Sequence, residues 1–380
     1  MAAALVERFH RVAVVHEWLT IPGGSEKVVC AILDLLPQAE VFTSIYDRAT
    51  APDEFARRVV HTSFLDRVPG AKRRYPYLLP FMDAAFRSFD LSGFDLVISS
   101  NHACAKNVRT PPGVPHVCYC HTPMRYAWDP EFLESEVLGP VIRRLVPIET
   151  AWLRRVDRKR ALGPDVYVAN SAFVATRIAE AYGRSSDVIH PPVEVSGLLQ
   201  IARDPGDAYL VFGRLVPYKR VDVAIRACER LGRKLLVAGS GRDMDRLRGL
   251  AGPNTEFLGY VPAGELPGLF ARARALIFPG VEDFGIAPVE AQAAGLPVIA
   301  YGEGGVCDSV IHRRTGVLYQ PGSVEGLCQA IEIFESLDFD ERDLRSNAAR
   351  FGPDHFAQDF GQLLESLRVD GVAADTLRTR

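Results

Sequence analysis

The segment that most restricts the fold is residues 275–300, which read ALIFPGVEDFGIAPVEAQAAGLPVIA. Its short apolar run stops at Pro279, which predicts a strand followed by a loop. Pro288 suits the first position of a helix, where a missing N–H costs nothing, and Gly295 suits the residue that caps the last turn. Pro297 prevents continuation before a second apolar run. The segment therefore predicts a strand, a loop, a short helix and a second, parallel strand.

Two carboxylates flank the loop and the helix start in this segment. Glu282 lies in the loop, and Glu290 is expected in the first turn of the helix. Gly285 and Ile286 fall where unpaired backbone N–H groups collect, a place suited to an anion or a hydroxyl-rich ligand. The two carboxylates could accept hydrogen bonds from sugar hydroxyls. The alternative is that Glu290 only favours the helix dipole and Glu282 is a solvated loop residue.

A cationic loop, GRLVPYKR at residues 213–220, follows a strand predicted at 208–212. Ligands of open parallel sheets bind beyond the carboxyl ends of the strands, so Arg214 and Lys219 are expected to face a ligand site. A forked guanidinium and a point-charge ammonium together suit a diphosphate. The alternative is surface charge paired with Asp222. Arg220 is assigned no phosphate role.

Apolar strands alternate with helical stretches along the whole chain, which predicts parallel sheets covered on both faces. The pattern restarts after Pro192, and the connector at 190–207 is rich in linker residues. We therefore predict two α/β domains, at residues 1–190 and 191–353. Apolar residues at helical spacing predict a final helix at about residues 354–370.

Strand ends in the first half carry histidines and a glycine pair. Gly23 and Gly24 separate the first strand from a helix, which lets backbone approach a ligand, although glycine there also serves packing. His16, His102 and His121 each follow or end an apolar run. A histidine at a strand end can hydrogen-bond a ligand or stabilise developing charge. A core histidine satisfied by the backbone is the default interpretation of any one of them.

Charge and composition argue against several classes of protein. The 44 Lys and Arg and 47 Asp and Glu give a net charge of −3, so there is no global basic field for nucleic acid. No apolar stretch reaches the roughly 18 residues of a membrane span, and the first residues lack the pattern of a secretion signal. The 7 scattered cysteines favour reduced thiols in a cytosol and lack zinc-site spacing, so no metal site is predicted.

Two stretches combine basic and apolar residues. Residues 71–82 read AKRRYPYLLPFM, and residues 141–162 carry several Arg and Lys with apolar residues at roughly helical spacing. Pro147 is expected to break or restart the second helix. Such surfaces suit an anionic membrane or a lipid diphosphate. The alternative is a solvated face over an ordinary core.

These motifs resemble a known family. The pattern from Glu282 through Phe284 and Gly285 to Glu290 resembles the Glu-x7-Glu motif of retaining glycosyltransferases with the GT-B fold, in particular glycosyltransferase family four. The loop with Arg214 and Lys219 resembles the family's diphosphate-binding element. The first half, notably HEWLTIPGGSEKVV and CHTPMRYAWD, resembles a bacterial branch that elongates lipid-linked saccharides, often with GDP-mannose.

The resemblance implies an α/β fold of two Rossmann-like domains that face each other across a cleft, with the final helix returning to the first domain. It implies four catalytic residues, which are His121, Arg214, Lys219 and Glu282. In this scheme the two cations hold the donor diphosphate, Glu282 holds the transferred sugar and Glu290 holds the ribose. The donor site as a whole is expected to include Gly23, Gly24, Arg214, Lys219, Gly241, Tyr260, Glu282, Phe284, Gly285, Ile286 and Glu290.

The implied activity is metal-independent, retaining transfer of a hexose, expected to be mannose from GDP-mannose. The implied acceptor is a polyprenyl-diphosphate-linked saccharide or another glycolipid, met at the inner face of the plasma membrane during cell-surface polysaccharide synthesis. The leaving diphosphate would itself assist proton removal from the incoming hydroxyl. No cofactor beyond the sugar nucleotide and no nucleic acid partner is expected.

Four alternatives remain open at this point. The donor could be a UDP- or dTDP-sugar with another acceptor. An epimerase or a glycogen-type synthase would share the fold. A non-catalytic protein that binds sugar nucleotides would share the site. A nicotinamide-dependent oxidoreductase also has paired α/β domains, but no GxGxxG follows the first strand.

Overall fold

The computed structural model describes residues 2–20, 23–129 and 140–367, without the side chains of residues 74, 76 and 140–149. The described chain divides into two compact units. The N-terminal unit comprises the chain up to Asn170, Val174–Pro191 and the chain from Phe356 onward. The C-terminal unit comprises Ser171–Phe173 and Pro192–His355.

The N-terminal unit is built on a parallel sheet of seven described strands in the order β3-β2-β1-β4-β5-β6-β7. Successive strands run outward from β1 in one direction and from β4 in the other, so the topological switch point lies between β1 and β4. β1 and β5 are buried along their full length, as continuous apolar runs in parallel sheets require. The strands are β1 (Val12–His16), β2 (Glu40–Thr43), β3 (Val60–Thr62), β4 (Leu96–Asn101), β5 (His116–Cys120), β6 (Val166–Ala169) and β7 (Asp187–Val188).

The C-terminal unit repeats this plan with six described strands in the order β10-β9-β8-β11-β12-β13. Its switch point therefore lies between β8 and β11. All pairings between these strands are parallel. The strands are β8 (Tyr209–Phe212), β9 (Leu235–Ala238), β10 (Thr255–Gly259), β11 (Leu276–Phe278), β12 (Val298–Tyr301) and β13 (Gly316–Tyr319).

Helices cover the sheets, and the predicted parallel α/β organisation of both halves is confirmed. The final helix packs Phe356, Phe360 and Leu364 into the core of the N-terminal unit, at the predicted helical spacing. The described α-helices are Ala2–Arg8, Gly24–Leu35, Ala71–Arg74, Leu79–Arg87, Arg125–Trp128, Pro140–Arg160, Ala172–Tyr182, Val221–Leu231, Met244–Arg248, Leu266–Arg272, Ile286–Ala293, Val306–Ser309, Val324–Glu335, Glu341–Ala349 and Pro353–Ser366.

The helix after the Glu282 loop begins earlier than predicted. It spans Ile286–Ala293, so Pro288 is its third residue and Glu290 its fifth. Gly285 adopts a left-handed φ of 88°, which turns the chain into the helix two residues before the proline. Glu290 therefore lies beyond the first turn, where a carboxylate gains little from the helix dipole. The purely helix-stabilising interpretation of Glu290 is correspondingly weakened.

The prediction of a break at Pro147 is wrong. One helix runs through it from Pro140 to Arg160. Proline has a helix-compatible φ and removes one backbone hydrogen bond, so it can be tolerated where the rest of the helix is held. The far end of this helix is held by Leu153 and Asp157, which are both buried.

Candidate functional site

A pocket in the C-terminal unit lies at the switch point of its sheet. The carboxyl ends of β8 and β11 form its walls, and the loops that follow those strands complete it. Strand order reverses at this point, which leaves a crevice between diverging loops where ligands of open α/β sheets bind. The lining residues are 211–215, 219, 221, 277–280 and 282.

The pocket brings together three of the four residues expected to be catalytic. Lys219 Nζ lies 2.8 Å from Glu282 Oε1, and each side chain is about a fifth exposed. Arg214 is exposed, and its guanidinium has no hydrogen bond or ion pair to any described residue. Asp222 instead contacts Arg220 and Arg246. The surface-charge alternative through Asp222 therefore fails for Arg214 and Lys219.

A second glycine pair, which sequence analysis missed, supports the Glu282 loop. The N–H of Gly305 donates to the Glu282 carbonyl at 2.9 Å. Gly304 has a φ of 88°, and a Cβ placed on it would lie 2.6 Å from the same oxygen. Only glycine allows this approach. The signal was present as GEGG at residues 302–305, directly after a strand, which is the same kind of turn that identified the first glycine pair.

Backbone hydrogen bonds join the loops that follow β8, β9 and β10. Leu215 N–H donates to Ser240 at 2.9 Å, and Gly239 N–H donates to Gly259 at 2.6 Å. A Cβ on Gly241 would lie 2.1 Å from the Leu215 carbonyl oxygen, so this glycine is required by packing within the unit. Tyr260 follows Gly259 directly and is 76% exposed. Gly241 and Tyr260 therefore lie on loops that adjoin the loop carrying Arg214.

The remaining predicted residues of this unit surround the start of the helix Ile286–Ala293. Gly285 precedes the helix and Ile286 opens it, so their N–H groups belong to the set that has no partner within a helix. Phe284 is buried, and its ring packs 5.6 Å from that of Phe351. Its side chain therefore serves the core, and only its backbone can face a ligand. Glu290 is half-buried in the second turn.

The N-terminal unit places a chain of polar side chains at its own switch point. His16, Ser100 and His121 stand at or just after the carboxyl ends of β1, β4 and β5. Ser100 Oγ lies 3.1 Å from His16 Nδ1 and 2.8 Å from His121 Nε2. His16 Nε2 lies 3.4 Å from Glu26 Oε1. These four residues form one continuous chain, which we call the Glu26–His121 chain.

Burial sets the charge states in this chain. Burial, reinforced by the His102 and His16 rings, lowers the pKa of His121 well below its usual value, so the ring is neutral at pH 7. His121 is thus expected to act through hydrogen bonds and not as a cation. Burial by itself raises the pKa of Glu26, but several interactions, of which the hydrogen bond with His16 is the largest, outweigh it and lower that pKa to about 2.

Gly23 and Gly24 lie beside this chain, at the start of the helix Gly24–Leu35. A Cβ on Gly23 would lie 2.9 Å from Glu26 Oε2, so Gly23 makes room for that carboxylate. His16 is fully buried, so its side chain supports the site from within. His102 is half-buried, and its ring lies 4.8 Å from that of Trp18.

Replacing Glu26 by Gln is expected to reduce the acid sensitivity of the fold. A carboxyl with a depressed native pKa stabilises the fold above its unfolded pKa, and this contribution disappears as pH falls towards the native pKa. The pKa of Glu26 is 4.5 in the unfolded chain and about 2 in the folded protein. Wild type should therefore lose roughly 2 kcal/mol of folding stability between pH 5 and pH 3. Urea unfolding of both proteins across this range measures the difference. Identical pH slopes would contradict the assignment of an ionised Glu26.

Several cations of the basic stretch at 141–162 make internal contacts. Arg154 and Arg158 lie over the ring of Trp128, at 5.5 and 4.9 Å. Arg160 forms a two-pronged hydrogen bond with Asp83. The side chains of Arg143 and Arg144 lie outside the described residues. For Arg154, Arg158 and Arg160 the structure supports the alternative of an ordinary, packed surface.

The described ranges contain no cluster of three His, Cys, Asp or Glu side chains arranged to share a metal ion. Among the described helices, none has both the length and the apolar character that crossing a bilayer requires.

Comparison with known proteins gives two family matches in succession. Residues 22–196 match the model "Glycosyltransferase Family 4", and residues 201–351 match "Glycosyl transferases group 1". A glycogen synthase of Mycobacterium tuberculosis is 33% identical over 212 residues, which is 51% of this chain and 49% of that protein. A GDP-mannose-dependent alpha-(1-6)-phosphatidylinositol monomannoside mannosyltransferase of the same species is 28% identical over 220 residues, 49% of this chain and 56% of that protein. The chain thus spans about half the length of the curated relatives it matches.

Solved structures extend the likeness to the whole fold. The crystal structure of Anabaena Alr3699/HepE in complex with UDP-glucose superposes with a TM-score of 0.68 at 19% identity, covering 94% of this chain and 100% of that one. With two parallel α/β units present, this likeness confirms the predicted GT-B fold. The two family models together match most of the chain. The chain therefore has the GT-B fold, with a region similar to glycosyltransferase family 4 followed by a region similar to the group 1 glycosyl transferases.

Proposed function

We propose that this chain is a glycosyltransferase that moves a hexose from a sugar nucleotide to an acceptor hydroxyl with retention of configuration. The observation that carries the proposal is the pocket at the β8–β11 switch point, which holds Arg214, Lys219 and Glu282 together. The two family matches support the general activity. The stereochemistry and both substrates are part of the proposal.

The donor diphosphate would bind between the two cations. Arg214 is exposed and has no partner among the described residues, so its guanidinium can donate hydrogen bonds to two phosphate oxygens at once. Lys219 is paired with Glu282, and a diphosphate would compete for its ammonium. Glu282 would then be released to accept hydrogen bonds from the sugar hydroxyls. Donor binding and sugar orientation are thereby coupled through one ion pair.

Stabilisation of the leaving diphosphate is the proposed main source of rate acceleration. Charge develops on that group as the glycosidic bond breaks, and fixed cations and helix-terminal amides stabilise it without reorganising. The N–H groups of Gly285 and Ile286 supply such amides. These groups would take the role that a divalent metal plays elsewhere, so we propose a metal-independent reaction. Loss of transfer in excess EDTA, restored by a divalent cation, would refute this part.

The proposed donor is GDP-mannose. Support comes from the relative that is named as GDP-mannose-dependent, whereas the HepE structure holds UDP-glucose, so UDP- and dTDP-sugars are the alternatives. In the proposed complex Glu290 binds the ribose, and Tyr260 with Gly241 lies near the base.

A calorimetric titration with GDP-mannose, UDP-glucose and dTDP-glucose tests the donor. We expect GDP-mannose to bind most tightly and, at saturation, to raise the melting temperature most, since a ligand stabilises the state it binds. Tighter binding of another nucleotide would replace the donor assignment. Tight binding with neither transfer nor donor hydrolysis would favour a non-catalytic binding protein. No binding of any of the three would remove the basis of the proposal.

We further propose that the acceptor is a glycolipid, such as a polyprenyl-diphosphate-linked saccharide, met at the cytoplasmic face of the plasma membrane. The supporting feature is a groove of about 490 Å³ in the N-terminal unit, lined partly by Val68 and Tyr77. Tyr77 is 77% exposed, and Phe81 lies exposed one helical turn later. Lys72 and Arg73, both exposed, lie between Val68 and Tyr77 in the chain. We call this the 68–81 surface; its exposed aromatic rings and cations suit an anionic bilayer.

The double variant Lys72→Gln/Arg73→Gln is expected to bind phosphatidylglycerol vesicles roughly 30-fold more weakly, since each cation near an anionic bilayer contributes about 1 kcal/mol. Co-sedimentation at low ionic strength measures this. The matched control is Arg230→Gln/Lys234→Gln, which neutralises two exposed cations of the C-terminal unit and should leave binding unchanged. Equal weakening by both pairs would show a non-specific charge effect and contradict the 68–81 surface.

A further inference from the structure

The Glu26–His121 chain lies where the N-terminal unit would meet a ligand. Its members come from the ends of β1, β4 and β5 and from the following helix, at the switch point of the sheet. His16 is 0% exposed and Glu26 5% exposed, so the inner part of the chain is sealed from solvent. His121 is the end that is partly exposed. The chain therefore connects a buried carboxylate to the only one of its members that a ligand can reach directly.

The geometry points to a tautomer relay in which Glu26, His16 and Ser100 are positioning residues that hold the proton of His121 on Nε2 and leave Nδ1 bare. Because imidazole is neutral with a single N–H, the position of that proton decides whether the ligand-facing nitrogen donates or accepts. The proposed role of His121 in the transfer reaction rests on the proposed function, whereas the relay itself does not.

The direction of the relay follows from its buried end. An ionised Glu26 can only accept, so a neutral His16 carries its single proton on Nε2 and leaves Nδ1 as an acceptor. Ser100 must then donate its hydroxyl proton to His16 Nδ1. The Ser100 oxygen is left to accept, and the donor within reach is His121 Nε2–H at 2.8 Å. Each hydrogen bond thus determines which atom donates and which accepts in the next one.

The outcome is a bare His121 Nδ1. This nitrogen has no hydrogen bond to any described residue, and the backbone of His121 is held on both sides of the ring. Its N–H donates to Asn101 at 2.8 Å, and its carbonyl accepts from Asn170 Nδ2 at 3.1 Å. A fixed, neutral acceptor of this kind suits a sugar hydroxyl that donates its proton. A relay of opposite polarity would present an N–H there instead.

Nitrogen-15 NMR of protein labelled in its histidine rings measures the tautomer directly, without donor or acceptor. The His121 signals are identified by their loss in His121→Gln. We expect wild type at pH 7.5 to show His121 protonated on Nε2 alone. Ser100→Ala should give a mixture of tautomers and lower kcat/KM for transfer about tenfold, the effect of one hydrogen bond. Ser100→Thr, which keeps the hydroxyl, should restore both.

Ser99 provides the matched control. It is the neighbouring residue of β4, is equally buried, and contacts His116 Nε2 at the same 2.8 Å. Ser99→Ala should leave the His121 tautomer and kcat/KM unchanged. The relay would be overturned if wild-type His121 were protonated on Nδ1, a result that requires no variant to fold. It would also be overturned if Ser100→Ala left the tautomer unchanged. If His121 is protonated on Nε2 but the protein has no transfer activity, the proposed function is contradicted and the relay is not.

Discussion

Lys219→Ala is expected to lower kcat/KM for sugar transfer by about 10²–10³-fold, the range seen when one group that stabilises developing negative charge is removed. The ammonium is the group that a departing diphosphate would take over from Glu282, 2.8 Å away. Its removal also leaves the Glu282 carboxylate facing the diphosphate without a counter-charge. We therefore expect kcat to fall and KM for the donor to rise. Steady-state kinetics with the donor found by calorimetry measures both.

The neighbouring Arg220 offers the matched control for this variant. It is exposed, lies outside the pocket lining and contacts Asp222. Arg220→Gln changes the net charge by the same amount one residue away, so transfer should stay within about twofold of wild type, as for a surface charge. If both variants lose activity equally, the effect is a general loss of positive field. If Lys219→Ala keeps full activity in a folded protein, the diphosphate assignment fails.

The second large effect concerns stability and a buried ion pair in the N-terminal unit. Lys106 and Asp157 are both fully buried and in direct contact. Asp157 also accepts hydrogen bonds from Trp128 Nε1 at 2.7 Å and Tyr182 at 2.8 Å. Burial by itself lowers the pKa of an ammonium, but the Asp157 carboxylate outweighs it and raises the pKa of Lys106. The lysine is therefore charged in the folded protein.

Lys106→Met is expected to destabilise the fold by about 3–5 kcal/mol, because it leaves the Asp157 charge buried and uncompensated. For a unit of this size the loss corresponds to a fall in melting temperature of roughly 10 °C or more. Calorimetric melting curves measure it. Lys106→Met/Asp157→Asn should recover part of the loss, since no charge is then stranded.

An exposed ion pair in the C-terminal unit serves as the control for this stability effect. Lys234 and Asp207 lie 2.9 Å apart, with about two-thirds of each side chain exposed. Lys234→Met should change stability by less than about 1 kcal/mol, as is typical of solvated ion pairs. A Lys106→Met protein that melts within 2 °C of the Lys234→Met protein would show that water reaches the Lys106 site.

Most of the strands, helices and site residues that could be predicted follow from short patterns of neighbouring residues. Buried parallel strands need continuous apolar runs, and their boundaries are set by Gly and Pro, so the strand predicted at 208–212 is found at Tyr209–Phe212. Strand ends predict that Arg214 and Lys219 face a ligand, and the family resemblance adds Glu282 to the same site. The structure gathers them in one pocket.

Predictions failed where one conformational rule competed with another. Proline was taken as the start of the helix after Glu282, but the left-handed turn at Gly285 begins it two residues earlier. Pro147 was taken as a break, yet the helix that contains it continues. In both cases the neighbouring chain outweighed the preference of a single proline.

By itself, the sequence determined the fold class and the two α/β halves, because periodicity and turn chemistry act over a few residues, and it indicated Arg214, Lys219 and Glu282 through their motifs. Only the tertiary structure decided which polar groups meet over long separations in the chain. His16 and Ser100 are 84 residues apart, and Lys106 and Asp157 are 51 apart. No local pattern encodes these pairs. Sheet order places the strand ends of the first pair side by side, and in both pairs burial requires each polar group to find a partner.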